Sequence, residues 1–400
     1  VKIQVLRADN NVTGYGRMAA EIVAALERRG VECVDYDPAD EPAPYIIFMT
    51  PPQRPEGWYE GQHTALFSMW ESTELAMEHL TTVPLFDTVF VPCKQNKETF
   101  GRINKNVHVT GLGCNYDEWY FTPRQMSDPF TIITAGKGGK RKGIDIAIKV
   151  FKKFRDRQIA KGFPRPRFII KSDAVLSKPD PDIIVINDML MSAEDERKLY
   201  EQAHVYLGLS RGEGWGMIPH QTIAQGMPTI LTNAHGHADF AHYGIGIDWK
   251  PVKAETEIVG RTGEWWEPSE EKAYEALCEV FEHYDAHLEL AEKNAKAIRK
   301  EFSWDKVAEK IVTTLPAPSK KITDKWVVCP QTLLLLRVAK PIDCNIGNGN
   351  YQFRPGNEYQ VTADVKRVIF DAGYIDESCL DPFEEAMWVK EKPLAIDEDA

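Results

Sequence analysis

Strand-like apolar runs alternate with segments of helical periodicity through most of the chain, the pattern of parallel sheets covered by helices. Residues 2–6 read as a first strand, and Met18, Ile22 and Leu26 follow at helical spacing, closed by Gly30. Further strands are expected at 31–35, 45–49, 64–68 and 88–91, with Pro51, Pro52 and Pro55 marking a loop. The pattern restarts with a strand at 130–134. Ile144, Ala147, Ile148, Phe151 and Phe154 then form the stripe of a long helix, strands follow at 168–170 and 183–186, and Ser192 with Asp195 makes a capping box for a helix carrying Leu199 and Ala203. A strand at 205–209, a helix near 217–225 closed by Gly226 and a strand at 228–231 form another unit. Two helices near 270–300 and one beginning at Ser303-Trp304 end the region. No fixed-period repeat covers it, which excludes a solenoid. The expected class is α/β: Rossmann-like domains at 1–125 and 126–302, then a closing helix at 303–316.

Composition narrows the possibilities. With 400 residues and 43% apolar content the chain has enough material for two cores and a small addition. Its 48 Lys and Arg against 60 Asp and Glu give a net charge of -12, which excludes a protein that coats nucleic acid over its whole surface. The seven cysteines are scattered, with no C-x-x-C pair, so reduced thiols in a cytoplasmic compartment are expected rather than a disulfide scaffold or a zinc finger. The first residues read as a strand instead of an export signal, and no run approaches the roughly 18 apolar residues of a membrane span. Pro316, Pro318 and Lys320-Lys321 look like a linker. Beyond it, short β-like runs at 326–329 and 333–338, with turn signals at Gly347, Gly349 and Gly356, predict a small mixed-β appendage at 322–385, followed by an acidic tail at 386–400.

Charge placement points to the chemistry. Thirteen cations lie between Lys137 and Lys171 against only Asp145 and Asp156, a local excess inside an acidic chain. The first part of that run, Gly136-Lys-Gly-Gly-Lys-Arg-Lys-Gly143, lies between a strand and a helix, where glycines let backbone amides approach a phosphate and the helix end adds positive potential. An anionic ligand is expected there, held by Lys137 and Lys142. The later cations read as a solvated helix face. A second glycine-rich turn, Ser210-Arg-Gly-Glu-Gly-Trp-Gly-Met217, also follows a strand, and in open α/β sheets two such turns can share one crevice. Glu213 is its only carboxylate, suited to paired hydroxyl hydrogen bonds or, alternatively, to capping the next helix.

These residues resemble retaining nucleotide-sugar glycosyltransferases of the GT-B fold, the group that includes sucrose synthases and phosphatidylinositol mannosyltransferases. Ser210-Arg-Gly-Glu-Gly-Trp-Gly-Met-Ile-Pro-His-Gln-Thr-Ile-Ala-Gln-Gly-Met-Pro228 is similar to that family's S-x-x-E-G-F-G-x-x-x-x-E-A-x-A-x-G-x-P signature, and Lys137 with Lys142-Gly143 resembles its G-R-x-x-x-x-K-G loop. Weaker similarity covers Thr13-Gly-Tyr-Gly-Arg17 and Val91-Pro-Cys93, so the resemblance spans about 1–315. It implies a donor-binding second domain and an acceptor-side first domain. Lys137 and Lys142 would neutralise the diphosphate, Glu213 would touch the donor sugar or its phosphate, and the amides after Gly216 would hold phosphate. Gly14, Gly16, Gly214, Trp215, Met217, Gln221 and Gly236 would complete the donor site. Two departures stand out: Lys137 replaces a bidentate Arg, and Gln221 replaces the glutamate that usually binds the ribose. The resemblance implies retention at the anomeric carbon, with no metal and no cofactor needed.

Rival readings stay open. Gly14 and Gly16 also fit G-x-G-x-x-A with Asp35 and Asp37 downstream, a dinucleotide-binding fingerprint, so an NAD(P)-dependent dehydrogenase is the alternative enzyme; seven residues separate strand from first glycine where that fold needs a tight turn. A catalytically degenerate glycan-binding module is the third class. Asp180-x-Asp182 has a metal-site form but reads as a surface turn; His235-x-His237 with His242 has a zinc-type pattern, but Ala234-His-Gly-His237 reads instead as a donor-lining loop, by its similarity to the family's glycine after this strand. Glu71, after Trp70, is the acceptor-side candidate or, equally, a helix cap, while His63 and His79 read as surface groups. The short first domain and the appendage resemble compact phage proteins, a setting in which the acceptor would be a modified DNA base or a virion protein. A DNA acceptor would lie along the cations from 149 to 171, whereas the acidic remainder favours a protein or small polyol.

Overall fold

The computed structural model describes residues 1–362 apart from 8–13, 53–56, 138, 174–178, 189–190, 256–262, 319–321, 324, 329–332, 337–341, 347–348 and 354–358. The expected tail at 386–400 and the last part of the expected appendage lie outside these residues.

The first sheet comprises β1 Lys2–Arg7, β2 Glu32–Asp35, β3 Tyr45–Met49, β5 His63–Phe67, β6 Thr88–Val91 and β7 Val107–Val109, with the short strand β4 Gly57–Tyr59 lying apart from it. Its order is β2-β1-β3-β5-β6-β7 and every pairing is parallel. The helices here are α1 Gly14–Arg28, α2 Met77–Thr82 and α3 Lys94–Gly101. The second sheet comprises β8 Thr131–Ala135, β9 Arg167–Lys171, β10 Ile183–Ile186, β11 Val205–Gly208, β12 Thr229–Thr232 and β13 Ile245–Ile247, in the order β10-β9-β8-β11-β12-β13, again parallel throughout. Its helices are α4 Ile144–Ala160, α5 Ala193–Glu201 and α6 Met217–Ala224. An antiparallel pair, β14 Trp249–Lys253 and β15 Glu264–Pro268, leads to α7 Glu270–Glu282, α8 Tyr284–Glu301 and α9 Trp304–Thr314.

The α/β expectation holds. Central strands such as β3 and β8 are buried at every position, because helices cover both faces of each sheet. In the second domain α4 buries Ala147, Val150, Phe151 and Phe154 with Ala273, Leu277 and Val280 of α7 in one cluster. Ser192, Ser269 and Ser303 accept hydrogen bonds from the amides of Asp195, Lys272 and Lys306 and start α5, α7 and α9. The closing helix α9 does not stay with its own sheet. Its Val307, Ala308 and Ile311 share a core with Met18, Ile22 and Leu26 of α1, and Arg28 donates to Asp305 at 2.8 Å. The chain thereby returns to the first domain.

Four features differ from expectation. Strands β4, β7 and β13 to β15 were not anticipated. The mixed-β segment is present as β16 Trp326–Val328, β17 Leu333–Leu336, β18 Ile342–Ile346, β19 Gly349–Phe353 and β20 Tyr359–Thr362, yet β16 pairs antiparallel with β4 of the first domain, so this segment is not free of it. Gly349 opens β19 instead of making a turn. His79 is buried against Trp70, with ring centroids 4.9 Å apart, and not a surface group; burial pushes its pKa down to about 4. No helix among the described residues is long and apolar enough to cross a membrane.

Removing the α9 cap by Ser303→Ala is expected to lower stability by about 1 kcal/mol, measured as an earlier urea midpoint. A midpoint equal to that of the wild type would show that α9 needs no cap to stay docked on α1.

Candidate active site

Strands β8 and β11 lie side by side where the strand order of the second sheet reverses, the position at which open α/β sheets form a ligand crevice. The two glycine-rich turns leave the carboxyl ends of these strands and are packed on each other. Gly143, with φ 65°, caps α4 so close to the neighbouring turn that a β-carbon would lie 1.8 Å from the Leu209 carbonyl oxygen. Arg211 fixes the arrangement: its amide donates to the Arg141 carbonyl at 2.7 Å, and its guanidinium grips Asp145 through two bonds of 2.8 and 2.7 Å and also meets Glu267. Arg141 in turn donates to the Gly212 carbonyl at 2.7 Å.

The two turns and the first domain enclose a cavity of about 340 Å3. Glu213 lies in its wall, 8% exposed, and accepts from Lys142 Nζ at 2.6 Å, Ser210 Oγ at 2.7 Å and Arg141 at 3.5 Å. Burial alone would raise its pKa; the charges of Lys142 and Arg141 outweigh that and hold the carboxyl well below the usual range. Gly216, with φ 100°, starts α6, so the first amides of that helix face the cavity. Lys137 is exposed at the rim and has no carboxylate partner among the described residues. From the first domain come Gly14, 3.6 Å from Met217 when given a β-carbon, and Glu71, whose carbonyl oxygen would be 2.0 Å from a β-carbon on Gly212.

The sequence-expected residues Glu213, Lys137, Lys142, Gly14, Gly214, Trp215, Gly216, Met217, Gln221 and Glu71 all line this cavity. Gly16 and Gly236 do not. Gly16 is buried in α1, and Gly236 lies beneath the Glu213 turn, its amide donating to the Glu213 carbonyl at 3.0 Å. The Trp215 indole is spent on the core, donating to His220 at 3.1 Å and packing on Phe240 and Phe302. Gln221 also faces an adjoining cavity lined by Glu21, Asn115 and Glu118.

Several lining residues were not anticipated. Arg141 was masked by the lysines around it. Lys171 and Glu196 pair at 2.8 Å while almost fully buried, and Arg17 of the first domain reaches the same Glu196 at 3.1 Å, an ion pair that crosses the cleft. Arg17 stands in the Thr13-Gly-Tyr-Gly-Arg17 stretch, the one signal that could have marked it. Tyr15 bridges Ser68 and Met69. His237, by contrast, belongs to the loop expected to line the donor site, and it does line the wall.

Other expected sites are used up differently. Asp180 and Asp182 precede β10, at the strand ends opposite the crevice, and are held by Arg155 and Arg165 at 2.8 Å each. His235 and His237 stand 4.5 Å apart, whereas His242 packs on Tyr243, and no group of three metal-type side chains occurs among the described residues. The later cations are not a free face: Lys149, Lys153, Arg157 and Lys161 of α4 and its end meet Glu270, Glu271 and Glu282 of α7.

The architecture has many relatives among solved structures. Sucrose-phosphate synthase from Thermosynechococcus elongatus superposes with a TM-score of 0.52 at 12% identity, covering 78% of this chain and 97% of that one. WaaG, a glycosyltransferase involved in lipopolysaccharide biosynthesis, gives 0.52 at 12% identity over 79% of this chain and 100% of its own. TarM gives 0.50 at 10% identity over 74% of this chain, which spans only 58% of TarM. At such identities the likeness establishes the two-domain GT-B fold. No curated protein matches the sequence. A family model does match, over residues 94–311, more than half of the chain and including both turns of the cleft. With the GT-B fold around it, that match makes the chain a member of the family 4 glycosyltransferases of conflict systems.

Proposed function

We propose that the chain is a retaining enzyme that takes a sugar from a nucleoside diphosphate and passes it to an acceptor hydroxyl in the cleft between the two sheets. The observation that carries this reading is the convergence of two turns, at adjacent strand ends, on one cavity where Lys142, Arg141 and the start of α6 face the same space. Such a wall suits a diphosphate. Glu213 is the counterion of Lys142. A bound diphosphate takes over Lys142 and leaves the carboxylate to accept sugar hydroxyls. As the bond from the anomeric carbon to the phosphate oxygen breaks, its electron pair stays on that oxygen, beside cations and amides already in place. The acceptor oxygen bonds to the anomeric carbon from the same face, and its proton passes to the departing phosphate. Gln221 accepts a ribose hydroxyl without charge, and Glu71 faces the acceptor from the first domain.

The ion pairing between α4 and α7 bears on the acceptor. It occupies cations that a DNA duplex would need for its phosphates, so a protein or small polyol hydroxyl is favoured over a modified DNA base. The dehydrogenase reading loses support because Gly16 is buried in α1 and away from the cavity wall.

Incubation with a panel of nucleotide sugars is expected to release nucleoside diphosphate, and Glu213→Gln or Lys142→Ala to slow that release at least tenfold, about 1.4 kcal/mol in the barrier. Unchanged rates would remove these residues from the mechanism, and sugar binding without release would favour a glycan-binding module. Mass spectrometry of products identifies the acceptor; hexose on DNA rather than on a protein or polyol would reverse that preference.

The depressed Glu213 pKa has a consequence for stability. The pairing contributes fully above the ordinary value of 4.5 and is lost as pH falls through the lower folded value. The stability gap between wild type and Glu213→Gln in urea titrations is therefore expected to narrow on going from about pH 6 to pH 3. A gap that widens with acid would contradict it.

A further inference from the structure

The geometry points to His237 as a hydrogen-bond donor to the distal phosphate of the nucleotide, an inference that rests on the nucleotide-sugar reading above. His237 is 1% exposed and lines the cavity wall, yet beyond the Thr232 backbone alongside it neither Nδ1 nor Nε2 has a partner in hydrogen-bond geometry. Buried polar side chains in native proteins are nearly always paired, and those left over are concentrated where a ligand completes them. One edge of the ring abuts the start of α6: a β-carbon on Gly216 would come within 2.4 Å of both Cδ2 and Nε2. It therefore borders the place where the first amides of that helix would meet a phosphate.

The backbone around it is shaped to hold this pose. His235 adopts φ 44°, the one positive value among described non-glycine residues. A left-handed conformation at such a residue is costly and persists only where its surroundings enforce it. Here the His235 ring enforces it from both sides, with Nε2 donating to the Ser210 carbonyl at 3.2 Å and Nδ1 accepting the His237 amide at 3.4 Å. The Gly236 amide adds its bond to the Glu213 carbonyl. The loop bearing His237 is thus fastened to the turn bearing Glu213, and His235 acts as its positioning residue.

The groups facing His237 are Glu213 and Lys142 from the two turns and His235 from its own loop. Burial, which lowers the pKa, outweighs the opposing pull of Glu213 and keeps the ring neutral near pH 7. A neutral imidazole has one donor and one acceptor. It adds a hydrogen bond to the distal phosphate without a further buried charge beside Lys142.

The test compares diphosphate with monophosphate binding by titration calorimetry. Uridine, guanosine, adenosine, cytidine and thymidine diphosphates are screened on the wild type, and the tightest is used with its matching monophosphate. His237→Phe keeps an aromatic ring but no donor, and is expected to bind the diphosphate about tenfold more weakly while monophosphate affinity changes less than about twofold, a difference worth one factor of ten in Kd. His237→Gln, which retains a neutral donor, is expected to recover most of the loss. Equal loss for both nucleotides, or none for either, would overturn the role of His237 while leaving the nucleotide reading intact. A wild type that binds none of the diphosphates would overturn both.

Discussion

The cleft is organised by a contact that leaves no room for a side chain, Gly143 against the Leu209 carbonyl. Because these two backbone segments touch, the cation of the next-door residue, Lys142, meets the carboxylate of Glu213 within hydrogen-bond distance in a largely dry wall. A buried pair of this kind is expensive to break unless another partner is supplied. On the proposed reading a diphosphate would supply it to the lysine, and hydroxyl groups to the carboxylate. Binding would then be an exchange of partners among groups already desolvated, and the wall would require little rearrangement as the sugar leaves.

The same economy of space operates between the domains. Gly212 lies on the backbone of Glu71 and Gly214 on the side chain of Met69, so the second-domain turn is pressed directly against the first domain. Arg17 reaches across to Glu196, already held by Lys171 and Tyr200. Helix α9, packed on α1, fastens the far side. The cavity is therefore assembled from both domains, and the groups that line it have positions set by interdomain packing as much as by their own loops.

What could be read from the sequence follows from the same physics. Strands buried on both faces are continuous apolar runs, and glycines next to cations at strand ends announce a phosphate-sized turn, so the sheets, α4, α6 and the Glu213 turn were visible. The β14–β15 pair was not: Trp249–Lys253 is mostly exposed and lacks both an apolar run and alternation. The Lys171–Glu196 pair was not legible because its burial depends on a partner 25 residues away and on Arg17 in another domain. The long basic run misled for the complementary reason, since the carboxylates of α7 that neutralise it lie more than a hundred residues further along the chain.

Strand β16 has a practical meaning for anyone handling fragments of this protein. Its antiparallel pairing covers the hydrogen-bonding groups of Gly57–Tyr59, and Glu60 exchanges further backbone bonds with Thr323 and Lys325. A shortened polypeptide stopping at residue 315 would keep both sheets and the cleft wall but uncover that strand's edge. Unpaired edges recruit strands from other molecules. Self-association of such a fragment would then report a missing cover and not a damaged enzyme.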